Sequence, residues 1–396
     1  MKKQNQVFLI VAVLTLCIID ALPNSMTPVI ADFAKLYPNV DPALLAQVVS
    51  VPSLVYAVSS LFSGIFLNKF GYKKTIVGAI VLILIGGLAP VIVTNFNLVL
   101  VFRAIFGLGI GIGMAGFKAL ISLTFKGDTQ ARVFGYQNAC GTLIISALQI
   151  VSGYIAVINV AASYMVHAFV IISLLALIFF IPEPEGKLEE PEKLSAEEKA
   201  AAKKGIPAAA YILIAVMILR SVPMITIMLN TSSLVYELGI GDSATSGKIQ
   251  AVLAFGSLPA GFLFVYTNKL FKKYTLTAGL IIEMLGGVLM SFGNSVGAFM
   301  AAYIICGFGM ITFCAAIAVK LNEITPAKSI GTVMGMLVGL PYLSSFISPY
   351  YTLLISRIMP NYTTQSVFMV GVVLDLILIA VTAAVTLRKN NSEEAA

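Results

Sequence analysis

Two charged residues stand 200 positions apart inside long apolar stretches of the sequence. Asp20 lies in IIDALP and Arg220 lies in ILRSVP, and each precedes a proline by three residues. A charge at the centre of a bilayer costs about 2.5–3.5 kcal/mol on insertion scales, so it usually faces a cavity or a partner. A carboxylate there can bind a proton, and the planar guanidinium of arginine suits a carboxylate or a phosphate. These residue types predict proton binding at Asp20 and anion binding at Arg220.

Arg103 is a third charge within an apolar stretch. At 1.5 Å per residue, Asp20 and Arg220 each lie about 20 Å into their predicted helices, and Arg103 lies about 9 Å from the opposite membrane surface. Two hypotheses are open for Asp20: it binds protons with Arg103 as its switch partner, or it pairs permanently with Arg103. Two are also open for Arg220: it contacts a solute, or it pairs permanently with Asp20.

Several polar or soft side chains in the same stretches extend the candidate binding site. They are Asn24, Tyr56, Met114, Lys118, Met224, Gln250 and Tyr342. Lys118 has a second interpretation, in which its amine reaches the membrane surface. We interpret Glu283 and Asp375 as structural, with proton carriage as the alternative, and His167 as a hydrogen-bonded packing residue.

The composition indicates that these residues lie on membrane helices. Of the 396 residues, 59% are hydrophobic and only 11% are charged, whereas about a quarter of the residues in a soluble domain are charged. About 20 apolar residues cross the hydrocarbon core. Twelve segments meet this requirement and are called spans 1 to 12: 7–31, 44–67, 74–94, 97–124, 131–155, 160–182, 207–234, 246–267, 274–293, 296–320, 328–355 and 364–387.

The basic residues concentrate at the N-terminus and in the even-numbered loops. They are Lys2, Lys3, Lys69, Lys73, Lys74, Lys126, Arg132, Lys269, Lys272, Lys273, Lys320 and Lys328. Because basic loops stay in the cytoplasm, both termini are predicted there, in a multi-pass protein of the plasma (inner) membrane. The net charge of +7 is therefore a topology signal, and no nucleic-acid partner is expected.

A polar stretch at the midpoint divides the chain into two similar halves. We predict a six-helix bundle over 1–182, a cytoplasmic linker over 183–206 and a second six-helix bundle over 207–396. Residue types recur in one ungapped register 200 positions later, which predicts a duplication. The matched positions include Pro23/Pro223, Asn68/Asn268, Lys69/Lys269, Lys73/Lys273, Thr75/Thr275, Gly86/Gly286, Gly87/Gly287, Gly107/Gly307, Gly109/Gly309 and Gly135/Gly335.

Two short motifs carry a resemblance to a known family. The loop after span 2 reads GIFLNKFGYKKT, and span 4 contains RAIFGLGIG. The loop resembles that between helices two and three of the major facilitator superfamily. Its matching residues are Gly64, Lys69, Gly71, Lys73 and Lys74, with Asn68 where the family has Asp. The second motif, with Arg103, Gly107 and Gly109, is similar to that of the proton-coupled members.

The resemblance implies an all-α fold of twelve helices in two bundles that rock around a midplane site. Spans 1, 4 and 7 would line the cavity, and the loop lysines would gate it by bonding acidic groups or helix ends of the neighbouring half. We expect proton-coupled symport of a small organic, anionic solute. A drug/proton antiporter is an alternative, although span 5 lacks the Gly-Pro pattern of those exporters. A non-transporting membrane sensor or scaffold is another.

Enzymatic chemistry is not expected, because the sequence offers no nucleophile–base or metal constellation. The four cysteines lie inside apolar stretches without zinc spacing, and there is only one histidine. We therefore expect no cofactor and no metal. The predicted partners are a small-molecule solute, protons and the lipid bilayer, and the protein is predicted to be a monomer.

Overall fold

The chain folds into α-helices that follow the predicted spans. The structure is a computed structural model, which describes residues 3–125, 127–183, 206–326, 329–359 and 361–393. The predicted linker between 184 and 205, together with Lys126 and Lys328, lies outside the described residues. Spans 2 to 5 are Gln47–Phe70, Tyr72–Leu88, Phe96–Thr124 and Gly127–Ile158. Spans 7, 9, 10 and 12 are Ala208–Glu237, Thr275–Phe292, Val296–Ile324 and Thr364–Glu393.

The other spans are interrupted. Span 6 is the 3₁₀ helix Ala161–Phe169 followed by Val170–Phe180. Span 8 consists of Ser243–Ala251 and Leu253–Phe271, and span 11 of Ile330–Gly339 and Tyr342–Ile358. Short helical turns at Pro42–Leu45, Ala89–Val91 and Lys272–Tyr274 lie between spans.

Span 1 departs from the continuous helix predicted over 7–31. It consists of Lys3–Leu14 and Cys17–Ala21, then the 3₁₀ helices Leu22–Asn24 and Thr27–Asp32, then Phe33–Leu36. Pro23 and Pro28 lie in the first turns of the two 3₁₀ helices, where the N–H group that proline lacks needs no partner. Pro223, at the matching position of span 7, lies inside one uninterrupted helix. The two equivalent prolines therefore have different effects.

Ten segments of the described chain are long and apolar enough to cross a membrane. One of them, Ser243–Phe292, has 50 residues and contains spans 8 and 9. As a single helix it would be about 75 Å long, more than twice the hydrocarbon thickness, so it must cross twice. Large apolar side chains such as Leu61, Ile92 and Phe262 are about four-fifths exposed, as expected of residues that face lipid.

Glycines let span 4 pack closely on spans 2 and 3, and the same contacts recur 200 residues later. A methyl group on Gly109 would lie 2.6 Å from the carbonyl oxygen of Ala79, and one on Gly309 would lie 2.8 Å from that of Gly279. Gly86 likewise lies against the backbone of residues 102 and 106, and Gly286 against residues 302 and 306. The predicted duplication is therefore visible in the helix packing, because small residues are what allow membrane helices to approach this closely.

Contacts divide the chain into two compact units. Unit 1 is Met1–Glu190 with Gly241–Ala251, and unit 2 is Pro191–Ile240 with Val252–Ala396. The first part of span 8, Ser243–Ala251, thus groups with the first six spans, and the rest of span 8 groups with the second unit. A simple division at the midpoint did not anticipate this exchange.

Candidate functional site

Asp20 lies where span 1 changes from α-helix to 3₁₀ helix, and its side chain is only half-buried. Its carboxylate makes no hydrogen bond within the described part of the chain. It interacts electrostatically with the half-buried Lys118 of span 4. Gly141 of span 5 leaves space beside the carboxylate, since a side chain there would begin 3.5 Å from Asp20 Oδ2. Asp20 is therefore a half-buried acid within electrostatic range of a lysine.

Arg103 is not the partner of Asp20 in this structure, contrary to the predicted pair. It is completely buried, and its Nε donates to the carbonyl oxygen of Val48 at 2.7 Å. Its Nη1 lies 3.0 Å from His167 Nε2, and its guanidinium carbon lies 4.1 Å from the centre of the Phe106 ring. The contacts of Arg103 with Val48 and His167 could not be predicted from its depth in the membrane. Depth gives a position along one helix but does not say which neighbouring helix the side chain faces.

His167 is a neutral imidazole that accepts a hydrogen bond from the guanidinium of Arg103. Its Nδ1 lies 2.7 Å from the carbonyl oxygen of Tyr164, which can only accept, so Nδ1 carries the hydrogen. Nε2 must then accept from Arg103, which can only donate. This is the hydrogen-bonded packing histidine that the sequence suggested. The Arg103 Nη2 atom has no hydrogen-bond partner in the described residues, so the buried cation is stabilised by a carbonyl, an imidazole and a ring.

Gln250 belongs to a polar network within unit 1. Its Oε1 lies 2.5 Å from Thr27 Oγ1 and 3.3 Å from Gln149 Nε2. Gln149 Nε2 is also 3.2 Å from Thr27 Oγ1 and 3.4 Å from the carbonyl oxygen of Asn24. Both glutamines are almost completely buried. The network therefore ties the 3₁₀ part of span 1 to span 5 and to the first part of span 8.

Asp32 adds a second tie at the end of span 1. It is 1% exposed, accepts from Lys35 Nζ at 2.5 Å and accepts a hydrogen bond from the hydroxyl of Ser243. Asp242 caps the short helix Ser243–Ala251, because its carboxylate accepts a hydrogen bond from the backbone N–H of Thr245 at 2.9 Å. These hydrogen bonds hold the pKa of the Asp242 carboxyl below its usual range. Segment 242–251 is thus held at both its first turn and its interior.

Arg220 is fully engaged by an acid of its own unit, which the sequence did not predict. Its Nε and Nη2 atoms donate to the two carboxylate oxygens of Glu283 at 2.7 and 2.6 Å, and both side chains are buried. One hypothesis paired Arg220 with Asp20. The carboxylate partner of Arg220 is instead Glu283 of span 9. The guanidinium fork expected for a solute is occupied in this conformation.

The remaining candidate residues divide between the two units. Tyr56 and Met114 are buried in unit 1, and Met224 is buried in unit 2. Tyr342 is half-buried beside the break in span 11, and Asn24 is half-buried beside Pro23. Their roles in binding a solute remain predictions. Among the described residues, no group of three His, Cys, Asp or Glu side chains could hold a metal.

The loop motif after span 2 joins spans 3 and 6 of unit 1. Gly71 has φ +83°, a value that suits glycine, and ends span 2. The backbone N–H of Tyr72 donates to Glu183 Oε1 at 2.7 Å, and Lys73 Nζ donates to the carbonyl oxygens of Ile178 and Ile181 at 2.9 and 3.0 Å. Each charge therefore meets the helix end that it stabilises.

The gate prediction expected such partners on the neighbouring half, whereas Lys73 finds them in its own unit. The other motif residues are also exposed: Gly64, Asn68, Lys69 and Lys74. Their part in a gate stays a prediction. Glu183, which pairs the loop with the end of span 6, was missed because it follows the last apolar residue and reads as part of the acidic linker.

Removing the Lys73 amine should destabilise unit 1, because two carbonyl oxygens at the end of span 6 lose their donor. We expect Lys73→Ala and Glu183→Ala each to reduce stability by about 1 kcal/mol, the usual effect of losing a helix cap. Melting of the purified protein in detergent measures it. Lys74→Ala is the control, since Lys74 is exposed in the same turn. Equal melting of the Lys73 and Lys74 variants would contradict the assignment.

Comparisons with known proteins identify the family. The model of the Major Facilitator Superfamily matches residues 8–349. A bacterial homolog of the human lysosomal transporter Spinster, in an inward-facing and unoccupied conformation, is similar with 13% identity and a TM-score of 0.75 over 98% of this chain and 97% of that chain. The nucleoside transporter NupG is similar with 13% identity and a TM-score of 0.73 over 96% of this chain and 99% of that chain.

At this identity the solved structures establish the fold alone. No curated protein matches the sequence significantly. The family model, in contrast, covers most of the chain, and the two motifs quoted above fall within it. The chain belongs to the Major Facilitator Superfamily and is a multi-pass integral membrane protein with the all-helical transporter fold of that family.

Proposed function

We propose that this transporter is a proton-coupled symporter of a small organic anion, working by alternating access. The observation that carries the proposal is the Asp20–Lys118 arrangement. A half-buried carboxylate without a hydrogen bond in the described residues lies in the middle of span 1, within electrostatic range of Lys118. Intramembrane acids of this kind are costly and commonly serve as proton sites.

The same two charges supply a coupling mechanism. While Asp20 is ionised, its charge offsets that of Lys118, and an anion gains little by binding there. A proton on Asp20 removes the negative charge and leaves the Lys118 amine to attract a carboxylate or a phosphate. Proton and anion therefore bind together and are released together. In this scheme Lys118 takes the role that we first gave to Arg103, and Arg103 holds spans 2, 4 and 6 together.

The polar network around Gln250 supports a closure on one side of unit 1. In the predicted orientation, the end of span 5 and the start of span 8 lie on the outer side of the membrane. Thr27, Gln149 and Gln250 would then form an outer lock that separates when the site opens outwards. The protein is proposed to act as a monomer in the plasma membrane, with both termini in the cytoplasm and without a cofactor.

Proteoliposomes that enclose a pH-sensitive dye test the proposed function. Organic acids, sugars, amino acids and lipophilic cations are applied one at a time to proteoliposomes whose lipids carry no net charge. We expect an organic acid to drive proton entry, with empty liposomes as the control for passive permeation of the neutral acid. Proton movement opposite to a lipophilic cation would instead establish the antiporter. Solute entry without proton movement would refute the coupling.

A further inference from the structure

Three buried ionisable residues of unit 2 meet at one level of the bundle. Spans 9 and 12 are antiparallel: Gly287 lies against Val372, and Thr277 Oγ1 lies 3.3 Å from Thr382 Oγ1. The residue numbers in the two contacts have the same sum, so the register places residues 375 and 376 at the level of Glu283. Asp375 therefore faces span 9 at the level of the Arg220–Glu283 pair.

Contacts of span 12 with span 7 lead to the same place. Gly371 lies against Pro223, and a methyl group there would lie 3.0 Å from Pro223 Cβ. Asp375 lies one turn after Gly371 in span 12, and Arg220 lies one turn before Pro223 in span 7, so the two residues come to the same level of these antiparallel helices. They interact electrostatically with each other and with Glu283. Other titratable groups that face this cluster, called the span 12 cluster, are Cys306, Cys314 and Tyr351.

The charges of this cluster do not balance if both acids are ionised. Arg220 is the one cation among these groups, and Glu283 already occupies it through both carboxylate oxygens. Asp375 is 5% exposed, and its Oδ1 has no hydrogen-bond partner in the described residues. An isolated ionised carboxylate is very costly to bury, and two neighbouring carboxylates do not readily ionise together. An unpartnered oxygen is far less costly on a neutral carboxyl group.

We propose that Asp375 holds a proton, so that the span 12 cluster is a neutral proton-binding site in unit 2, separate from Asp20. The cluster then consists of a paired Arg220 and Glu283 beside a neutral carboxyl group. The proton stays on Asp375 because Glu283 has the better contact with the guanidinium. The proposal makes no use of the role given to Asp20, so either can fail without the other.

Infrared spectroscopy of the protein in liposomes at pH 7 tests the proposal, because a protonated carboxyl group has a carbonyl stretch distinct from that of a carboxylate. We expect the wild type to show a protonated-carboxyl band with a component that Asp375→Asn loses and Asp20→Asn keeps. That component should also be lost in Glu283→Gln, since Arg220 would then require the charge of Asp375. A band of undiminished intensity in Asp375→Asn, or none in the wild type, would overturn the proposal.

Thermal melting provides a second readout, which does not depend on band assignment. Asparagine matches a neutral aspartic acid in shape and charge, so Asp375→Asn should melt at the wild-type temperature. Glu283→Gln should melt lower, and the Glu283→Gln/Asp375→Asn double variant lower than either, because no charge then remains for Arg220. If Asp375→Asn alone melts as low as Glu283→Gln, Asp375 is an ionised partner of Arg220 and the proposal is wrong.

Discussion

Replacing Glu283 by alanine should destabilise the protein by about 3–5 kcal/mol, because removing one partner of a buried ion pair leaves the other charge without compensation. Arg220 is 3% exposed, and its Nε and Nη2 atoms both donate hydrogen bonds to the carboxylate of Glu283. At about 2–4 °C per kcal/mol, the melting midpoint should fall by roughly 6–20 °C. The effect should lie towards the lower end, since Asp375 can release its proton and supply a charge.

The Lys320–Glu323 pair provides a matched control for this loss. It joins a lysine, in place of an arginine, to a glutamate at 2.8 Å, and both side chains are about half exposed. Glu323→Ala should therefore cost about 1 kcal/mol or less. The Arg220→Met/Glu283→Leu double variant should recover most of the stability lost by Glu283→Ala, because no charge remains buried. Similar melting of Glu283→Ala and Glu323→Ala would show that the buried pair is not stabilising unit 2.

Leucine at Gly247 should force the start of span 8 away from span 5. A side chain at Gly247 would begin 2.5 Å from the carbonyl oxygen of Gln149, and Gly153 lies equally close to the backbone of Ser243 and Ala244. Overpacking of this kind costs about 1–3 kcal/mol, which corresponds to a shift of about 5- to 150-fold towards the separated state. Transport should fall in parallel, because the outer lock no longer closes.

The separation can be measured by the labelling rate of a cysteine introduced at Ala244, which is buried beside Gly153. Maleimide should react faster with Ala244→Cys when Gly247 is also leucine, after subtraction of the reaction of the native cysteines. Gly261→Leu is the control, because a side chain at Gly261 of the same span meets nothing within 4 Å. Unchanged labelling in Gly247→Leu would contradict the proposed lock.

The duplication was readable from the sequence because glycines cannot be replaced where helices touch. Gly109 and Gly309 contact equivalent neighbours in the two units, so the 200-residue spacing between them reflects the same helix contact in each unit. The apolar lengths likewise indicated the spans, since the bilayer thickness fixes them. The break of span 1 was only partly predictable, because Pro23 and Pro223 are equivalent in sequence and different in structure.

The partners of the charges were not predictable, because depth along one helix does not say which way a side chain points. Glu283 occupies the position equivalent to Ile83, and it lies next to Arg220 through the packing of spans 7 and 9. Sequence order offers no sign of that contact. Lys118 was identified as a candidate, but its relation to Asp20 appears only when spans 1 and 4 are placed together.

The two units also use their buried charges differently. Position 20 carries a half-buried acid in unit 1, whereas the equivalent position 220 carries a buried arginine that is paired with Glu283. Position 103 carries a buried arginine, whereas the equivalent Tyr303 donates or accepts a hydrogen bond with Thr231 at 2.6 Å. Among the described residues, the equivalent positions 20 and 220 thus carry a half-buried acid in unit 1 and a paired arginine in unit 2, and this difference is why we propose the coupling role for Asp20.

Solute uptake by Asp20→Asn proteoliposomes tests the central claim most directly. Accumulation driven by a pH gradient is measured beside exchange of labelled for unlabelled solute, in the wild type, in Asp20→Asn and in the surface control Glu323→Gln. If Asp20 carries the coupled proton, Asp20→Asn loses accumulation and keeps exchange, because the neutral side chain leaves Lys118 permanently available to the anion. Gradient-driven accumulation at the wild-type level in Asp20→Asn would contradict the claim.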